Sequence, residues 1–121
     1  MKIGIIADDI TGLNAIGAEF ARFGMESLVV FKQKEIPLIP LEKNNIVICH
    51  DRNSRDGKVR DAMRKVASAT NMFIDLGFDW IIKQSDSALK GHVFPELIAF
   101  KSKLANESLY FAPLHDFLLI L

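Results

Sequence analysis

Lys2-Ile3-Gly4-Ile5-Ile6-Ala7-Asp8-Asp9 decides the architecture: the run is apolar from Ile3 to Ala7 and stops on two carboxylates. A segment apolar on both faces is the mark of a parallel strand covered by helices on each side, because a sheet with one wet face would alternate polar and apolar residues. Two later runs behave in the same way. Ile46 to Cys49 stops on Asp51-Arg52-Asn53-Ser54-Arg55, and Trp80 to Ile82 stops on Lys83-Gln84-Ser85-Asp86-Ser87. If the three strands lie parallel in one sheet, the three polar clusters meet on its carboxyl edge, where open α/β sheets bind ligands. That edge is the expected site.

Working outward, Leu13, Ile16, Phe20 and Phe23 recur at helical spacing between Thr11 and Phe23, and Gly24 supplies a stop. A second strand is expected at Ser27 to Phe31, after which Pro37 and Pro40 argue against a regular element. Residues 57–76 place Val59, Met63, Val66, Thr70, Phe73 and Leu76 on one stripe, the signature of a helix facing a core, with Gly77 at its end. Trp80 to Lys83 reads as a fourth strand and Phe94 to Leu104 as a helix, with Pro95 tolerated in the first turn. Leu109 to Ala112 reads as a fifth strand. Strands alternating with helices predict a three-layer α/β sandwich around a mostly parallel, Rossmann-like sheet, here incomplete. Residues 1–113 are expected to form this partial domain. Residues 114–121 end in Phe117-Leu118-Leu119-Ile120-Leu121, an atypical apolar tail with no polar cap or closing helix; exposed, it would be an association liability open to a homodimer, and the alternative is a domain cut short.

The 121 residues suit one ordinary domain, which at this size buries roughly two thirds of the surface its unfolded chain exposes. Half of the residues are apolar and a quarter charged, with 15 basic against 15 acidic side chains, so no long-range field favours nucleic acid or an anionic membrane. Cys49, the single cysteine, lies inside an apolar run; a buried thiol and a reducing cytoplasm are expected. No export signal or membrane-spanning run is read from the sequence.

Adjacent carboxylates at a strand end can coordinate Mg²⁺, accept a hydroxyl proton or cap the next helix. Since neighbouring strand residues point to opposite faces, one of Asp8 and Asp9 is expected at the ligand edge and the other on backbone donors near Thr11. The cluster from Asp51 to Arg55 suits charge-assisted binding of a carboxylate, with Arg55 as the preferred clamp, or a solvated loop with turn contacts from Asp51 and Ser54. In the segment Lys83 to Gly91, Gly91 ahead of a helix favours an anion. On the other reading, Asp86 and Ser87 are turn residues and Lys90 a solvated charge. His50, His92 and His115 lack metal-ligand spacing, and neither a Walker loop nor a Gly-x-Gly-x-x-Gly fingerprint is present.

Taken in order, these motifs resemble the amino-terminal domain of the four-carbon acid sugar kinase family. Its opening Ala-Asp-Asp, hydrophobic, Thr-Gly pattern is matched by Ala7-Asp8-Asp9-Ile10-Thr11-Gly12 and extended by Leu13-Asn14-Ala15-Ile16-Gly17. Its Asp-x-x-Ser-Arg motif is matched by Asp51, Ser54 and Arg55. Its Lys-x-x-Asp-Ser-Thr-Leu-Arg-Gly motif is matched by Lys83, Asp86, Ser87, Leu89 and Gly91. The chain departs from the pattern at Ala15, where an acid is usual, at Ala88 in place of threonine, and at Lys90 in place of arginine. The resemblance implies a sugar-acid site facing a carboxyl-terminal ATP-binding domain, with phosphoryl transfer from MgATP to a substrate hydroxyl. Asp8, Asp9 and Asp86 would be the acids that bind or deprotonate the hydroxyl. Arg55, Lys83, Ser87, Lys90 and Gly91 would hold the substrate. ATP and Mg²⁺ are implied as cofactors, but the donor site is expected to be absent from this chain, so that it is inactive alone or needs a separate ATP-binding domain. The competing reading is a receiver-like phosphoacceptor domain, with Asp8-Asp9 as the acidic pair and Asp51 as acceptor. Ala112 before Pro113 stands where a receiver has lysine. A third reading is a non-catalytic ligand-binding remnant.

Overall fold

In chain order the elements are β1 (Lys2–Ala7), α1 (Ile10–Arg22), β2 (Glu26–Val30), a 3₁₀ helix (Gln33–Leu38), β3 (Ile46–Asp51), α2 (Val59–Asp75), β4 (Trp80–Gln84), α3 (Val93–Ser102) and β5 (Leu118–Ile120). The structure, a computed structural model, describes residues 1–41, 45–54, 56–86, 89–104 and 118–120. β1 lies between β3 and β4 and runs parallel to both, so that Ile6 is level with His50 on one side and Lys83 on the other. β2 pairs parallel with the far side of β3, and β5 pairs antiparallel with β4, in the order β2-β3-β1-β4-β5. The first, third and fourth strands therefore end on the same edge.

Side-chain alternation separates two cores. Ile3, Ile5, Ala7, Val47, Cys49 and Ile82 pack with Leu13 of α1 on one face. Ile6, Ile46, Ile48 and Ile81 pack with Val66, Ala69 and Phe73 of α2 and Phe100 of α3 on the other. Both faces of the central strands are thus covered, which is why those strands read as unbroken apolar runs. Gly4 is the one gap in β1: a Cβ there would lie 2.6 Å from the Phe73 ring, so the missing side chain lets α2 close on the sheet. Cys49 is fully buried, and burial pushes its thiol up to about 11 despite Ser27 nearby.

Several expectations are corrected. Pro37 sits inside the 3₁₀ helix rather than in irregular chain; the short turn buries Ile36, and its tight i to i+3 bonds run from Glu35 N to Lys32 O and from Ile39 N to Ile36 O, needing no donor from proline. In α2 the buried face is Ala62, Val66, Ala69, Thr70 and Phe73, whereas Val59 is exposed. The alanines are small enough to sit closest to the sheet, which rotates the stripe away from Val59. Phe23, the residue after the last turn of α1, is 83% exposed and does not join the core. Within the apolar tail, Leu118–Ile120 pairs antiparallel with β4 at the edge of the sheet. The fifth strand expected at Leu109 to Ala112 lies outside the described residues. The receiver reading fails on topology: a receiver places β2 beside β1 in the order 2-1-3-4-5, and here β3 occupies that place. No described helix is long and apolar enough to cross a membrane.

Candidate functional site

At the carboxyl edge the core turns polar. Asp8, His50, Ser54, Lys83, Gln84, Ser85 and Glu96 are all buried, and all belong to the ends of β1, β3 and β4 or to the first turn of α3. Buried polar groups must be hydrogen-bonded or they destabilise the fold, so such a concentration is retained only where structure or chemistry uses it.

The two leading carboxylates divide as strand alternation requires. Asp9 caps α1, its Oδ1 accepting from the backbone N–H of Thr11 at 3.0 Å and of Gly12 at 3.4 Å. Asp8 is buried at the sheet edge, and its backbone oxygen accepts from Ser54 N–H at 3.2 Å. This contact and Arg52 N–H to Ala7 O at 2.9 Å extend the β1–β3 pairing past the strands, holding the first two motifs together.

Lys83 does not present its charge to the edge as expected for a substrate-holding group. Its Nζ lies 2.9 Å from Glu96 Oε2 and donates to Gln84 O at 2.5 Å, with both side chains of the pair sealed from solvent. The other Glu96 oxygen accepts from Ser54 Oγ. One buried chain thus links the second motif, the third motif and α3. Glu96 also lies in the first turn of α3, where the helix dipole favours a carboxylate. It was missed in the sequence, although a signal existed: Val93, Glu96, Leu97 and Phe100 share one helical stripe, and an acid on an otherwise apolar stripe needs a buried cation.

The second motif contributes a cation from an unexpected position. His50 is fully buried; its Nδ1–H donates to Val30 O at 2.7 Å, which leaves Nε2 to accept from Arg52 Nη1 at 2.8 Å. Arg52 Nη1 also donates to Gln33 Oε1 at 2.9 Å. Burial pulls the His50 pKa below its ordinary 6.5, outweighing the Val30 bond. The unfolded chain therefore binds a proton on this residue at higher pH than the folded one, and the stability contributed by neutral His50 is complete above about pH 6.5 and lost as pH falls through the lower folded value. The melting temperature is expected to drop between about pH 7 and about pH 5, with a shallower slope in His50→Gln. Equal slopes in thermal melts of the two proteins would show that His50 does not carry the effect.

Of the remaining candidates, Asp86 organises the turn before α3: its Oδ2 accepts from Lys90 N–H at 3.2 Å and its backbone oxygen from Leu89 N–H at 2.9 Å. The Lys90 side chain is exposed, and Gly91 adopts a left-handed φ of 83°. Arg55 and Ser87 lie outside the described residues. Sequence reasoning also passed over Gln84 and Ser85, whose Oε1 and Oγ are buried without a hydrogen-bond partner among the described residues. The Gln84 amide lies so close to Gly12 that a Cβ there would meet its Nε2. Gly12, Gln84 and Ala15, the last at the position where the resembled pattern has an acid, line a cavity of about 310 Å³ beside α1. Among the described residues no group of three or more His, Cys, Asp or Glu side chains is placed to hold a metal ion.

Comparison with known proteins agrees with this architecture. Residues 3–115 match the family model of the sugar-binding N-terminal domain. A D-erythronate kinase from Heliobacterium modesticaldum is 36% identical over 110 residues, covering 89% of this chain and 24% of the kinase. A crystal structure of a domain of unknown function (DUF1537) from Bordetella bronchiseptica, a domain-swapped dimer with bound citrate, superposes with a TM-score of 0.77 at 25% identity over 84% of this chain and 25% of that one. A second crystal form of the same protein gives 0.80 at 24% identity, over 87% and 27%. The chain thus spans about a quarter of the length of these relatives. It belongs to the sugar-binding N-terminal domain family, the amino-terminal part of four-carbon acid sugar kinases.

Proposed function

We propose that this chain is the acid-sugar-binding part of a four-carbon acid sugar kinase, taking threonate- or erythronate-type acids at the carboxyl edge of its sheet. The observation that carries the reading is the convergence of Asp8, the Ser54–Glu96–Lys83 chain and the Arg52 guanidinium on one edge of a parallel sheet. The erythronate kinase supplies the substrate class by likeness, and the citrate carried by the Bordetella relative is consistent with a family that accommodates carboxylates.

In this reading Asp8 is the carboxylate that binds or deprotonates the reacting hydroxyl. Asp9 sets the pitch of α1 through its cap, and Asp86 shapes the turn that carries Lys90 and Gly91 toward the substrate. Lys83 acts through Glu96 and Ser54, keeping the edge rigid, and positioning of this kind accounts for most of the catalysis in phosphoryl transfer. ATP and Mg²⁺ are implied by the family, but the described residues include neither a glycine-rich phosphate loop nor a metal-holding cluster. The ATP-binding part would face this edge from outside residues 1–113.

Titration calorimetry is expected to show saturable binding of erythronate or threonate and none of erythritol, the neutral analogue. Incubation with MgATP and either acid is expected to leave both unphosphorylated. Absence of saturable acid binding would sink the substrate reading, and turnover would sink the view that the donor site lies elsewhere.

A further inference from the structure

Arg52 combines three features whose joint occurrence points to an absent anion. The guanidinium is half-buried and makes no ion pair among the described residues. Both hydrogens of Nη1 are taken, one by His50 Nε2 and one by Gln33 Oε1, and both acceptors are neutral. Among the described residues, Nε is buried with no hydrogen-bond partner and Nη2 bonds to none. The three remaining donors therefore include the side-on pair, Nε–H with one Nη2–H, which is the fork that matches a carboxylate or a phosphate with two parallel bonds.

The surroundings raise the cost of leaving that fork empty. Burial and the neighbouring Arg64 charge both act against the charged form of Arg52, with Asp51 only partly compensating. Arginine nevertheless keeps its proton in proteins. A half-buried cation flanked by another cation and held by neutral acceptors is stabilised by an incoming oxyanion far more than by any neutral ligand. The holding groups are themselves fixed. His50 is anchored by Val30 O, and Gln33 donates through Nε2 to Ser68 Oγ at 3.0 Å, so β2, the 3₁₀ helix and α2 all determine where the guanidinium stands. Because Arg52 N–H bonds to Ala7 O, its backbone lies beside Asp8 at the candidate site.

We propose that Arg52, presented by His50 and Gln33, is an oxyanion-binding subsite of the carboxyl edge, and that it takes the carboxylate of the sugar acid. This assignment rests on the reading in the preceding subsection for the identity of the ligand, but not for the anion preference, which follows from the guanidinium alone. It makes Arg52, three residues before Arg55 in the sequence, the clamp. His50 and Gln33 are positioning residues that touch the arginine and not the ligand.

The test uses the full 121-residue chain, labelled with ¹⁵N so that the Arg52 Nε–H resonance, assigned by its loss in Arg52→Lys, reports directly on the unspent donor. Erythronate, erythritol, acetate and inorganic phosphate are titrated in turn. The expected result is a saturable shift of that resonance with erythronate and acetate and none with erythritol. Arg52→Lys, which keeps the charge but lacks the fork, is expected to weaken erythronate at least tenfold. His50→Asn retains a donor for Val30 O but removes the acceptor for Nη1; it is expected to weaken the acid several-fold, with His50→Gln restoring part of the loss.

The outcomes separate the two inferences. Saturable erythronate binding with the Arg52 resonance unmoved and affinity unchanged in Arg52→Lys overturns the subsite and leaves the proposed function standing. No erythronate or acetate response but a saturable shift with phosphate overturns the sugar-acid assignment and leaves an oxyanion site supplied by phosphate. No response to any anion overturns both.

Discussion

Glu96→Ala is expected to destabilise the chain by about 3 to 5 kcal/mol, because it strands the buried Lys83 ammonium without its carboxylate. The magnitude is large against the roughly 5 to 15 kcal/mol by which single domains are stable. The pair lies within 2.9 Å and neither member is reached by solvent, so water cannot take over from the missing partner. Ser54 Oγ loses its acceptor in the same variant. The sign of the net contribution is separate from the cost of breaking the pair, since two buried charges are themselves expensive to desolvate. The double variant Lys83→Met/Glu96→Leu is therefore expected to recover much of the loss while uncoupling Ser54 from α3. Urea denaturation of the parent, both single variants and the double variant measures this. A loss below about 1 kcal/mol in Glu96→Ala would mean that the ammonium finds water or another partner, contrary to a sealed pair.

Gly4→Ala is expected to cost about 1 to 3 kcal/mol, although it adds a single methyl group. That methyl would stand 2.6 to 2.9 Å from three atoms of the Phe73 ring, closer than carbon atoms approach without displacement. The ring cannot retreat, because it is fully buried and meets Phe78 edge-on with centroids 4.7 Å apart. Phe73→Leu costs stability alone, yet it removes the obstacle. The double variant Gly4→Ala/Phe73→Leu should accordingly be more stable than the sum of the single losses by about 0.5 to 3 kcal/mol, the range for residues in direct contact. Strict additivity in a double-mutant cycle would show that α2 shifts freely and that Gly4 is not a packing requirement.

These two sites also mark how far the fold and the site were legible in residue order alone. The parallel strands were, because Ile3 to Ala7 and Ile46 to Cys49 are buried on both faces and no other sheet environment tolerates that composition. The division between Asp8 and Asp9 was legible too, since it follows from strand alternation and from the orphan N–H groups of a helix start. The burial of Lys83 was not legible, since a lysine closing an apolar run gives no sign of its partner and Glu96 lies on another element. Arg52 could not be told from Arg55 because two arginines three residues apart in a loop carry no periodic signal. The contacts that distinguish Arg52 come from Gln33 and His50, on the 3₁₀ helix and on β3. The helical stripe of α2 was displaced from Val59 toward Ala62 and Ala69 because hydrophobicity ranks valine above alanine, whereas close approach to a sheet ranks them the other way.

Residue order by itself determined that the chain forms covered parallel strands and that three polar clusters follow them, since local burial patterns and the 2.0 and 3.6 periods are properties of consecutive residues. Tertiary structure alone decided the strand order β2-β3-β1-β4-β5, the sealing of Lys83 against Glu96 and the grip of His50 and Gln33 on Arg52. Each of those depends on groups distant in the chain, and the strength of a charge or a hydrogen bond is set by the partner and the solvent it meets in space.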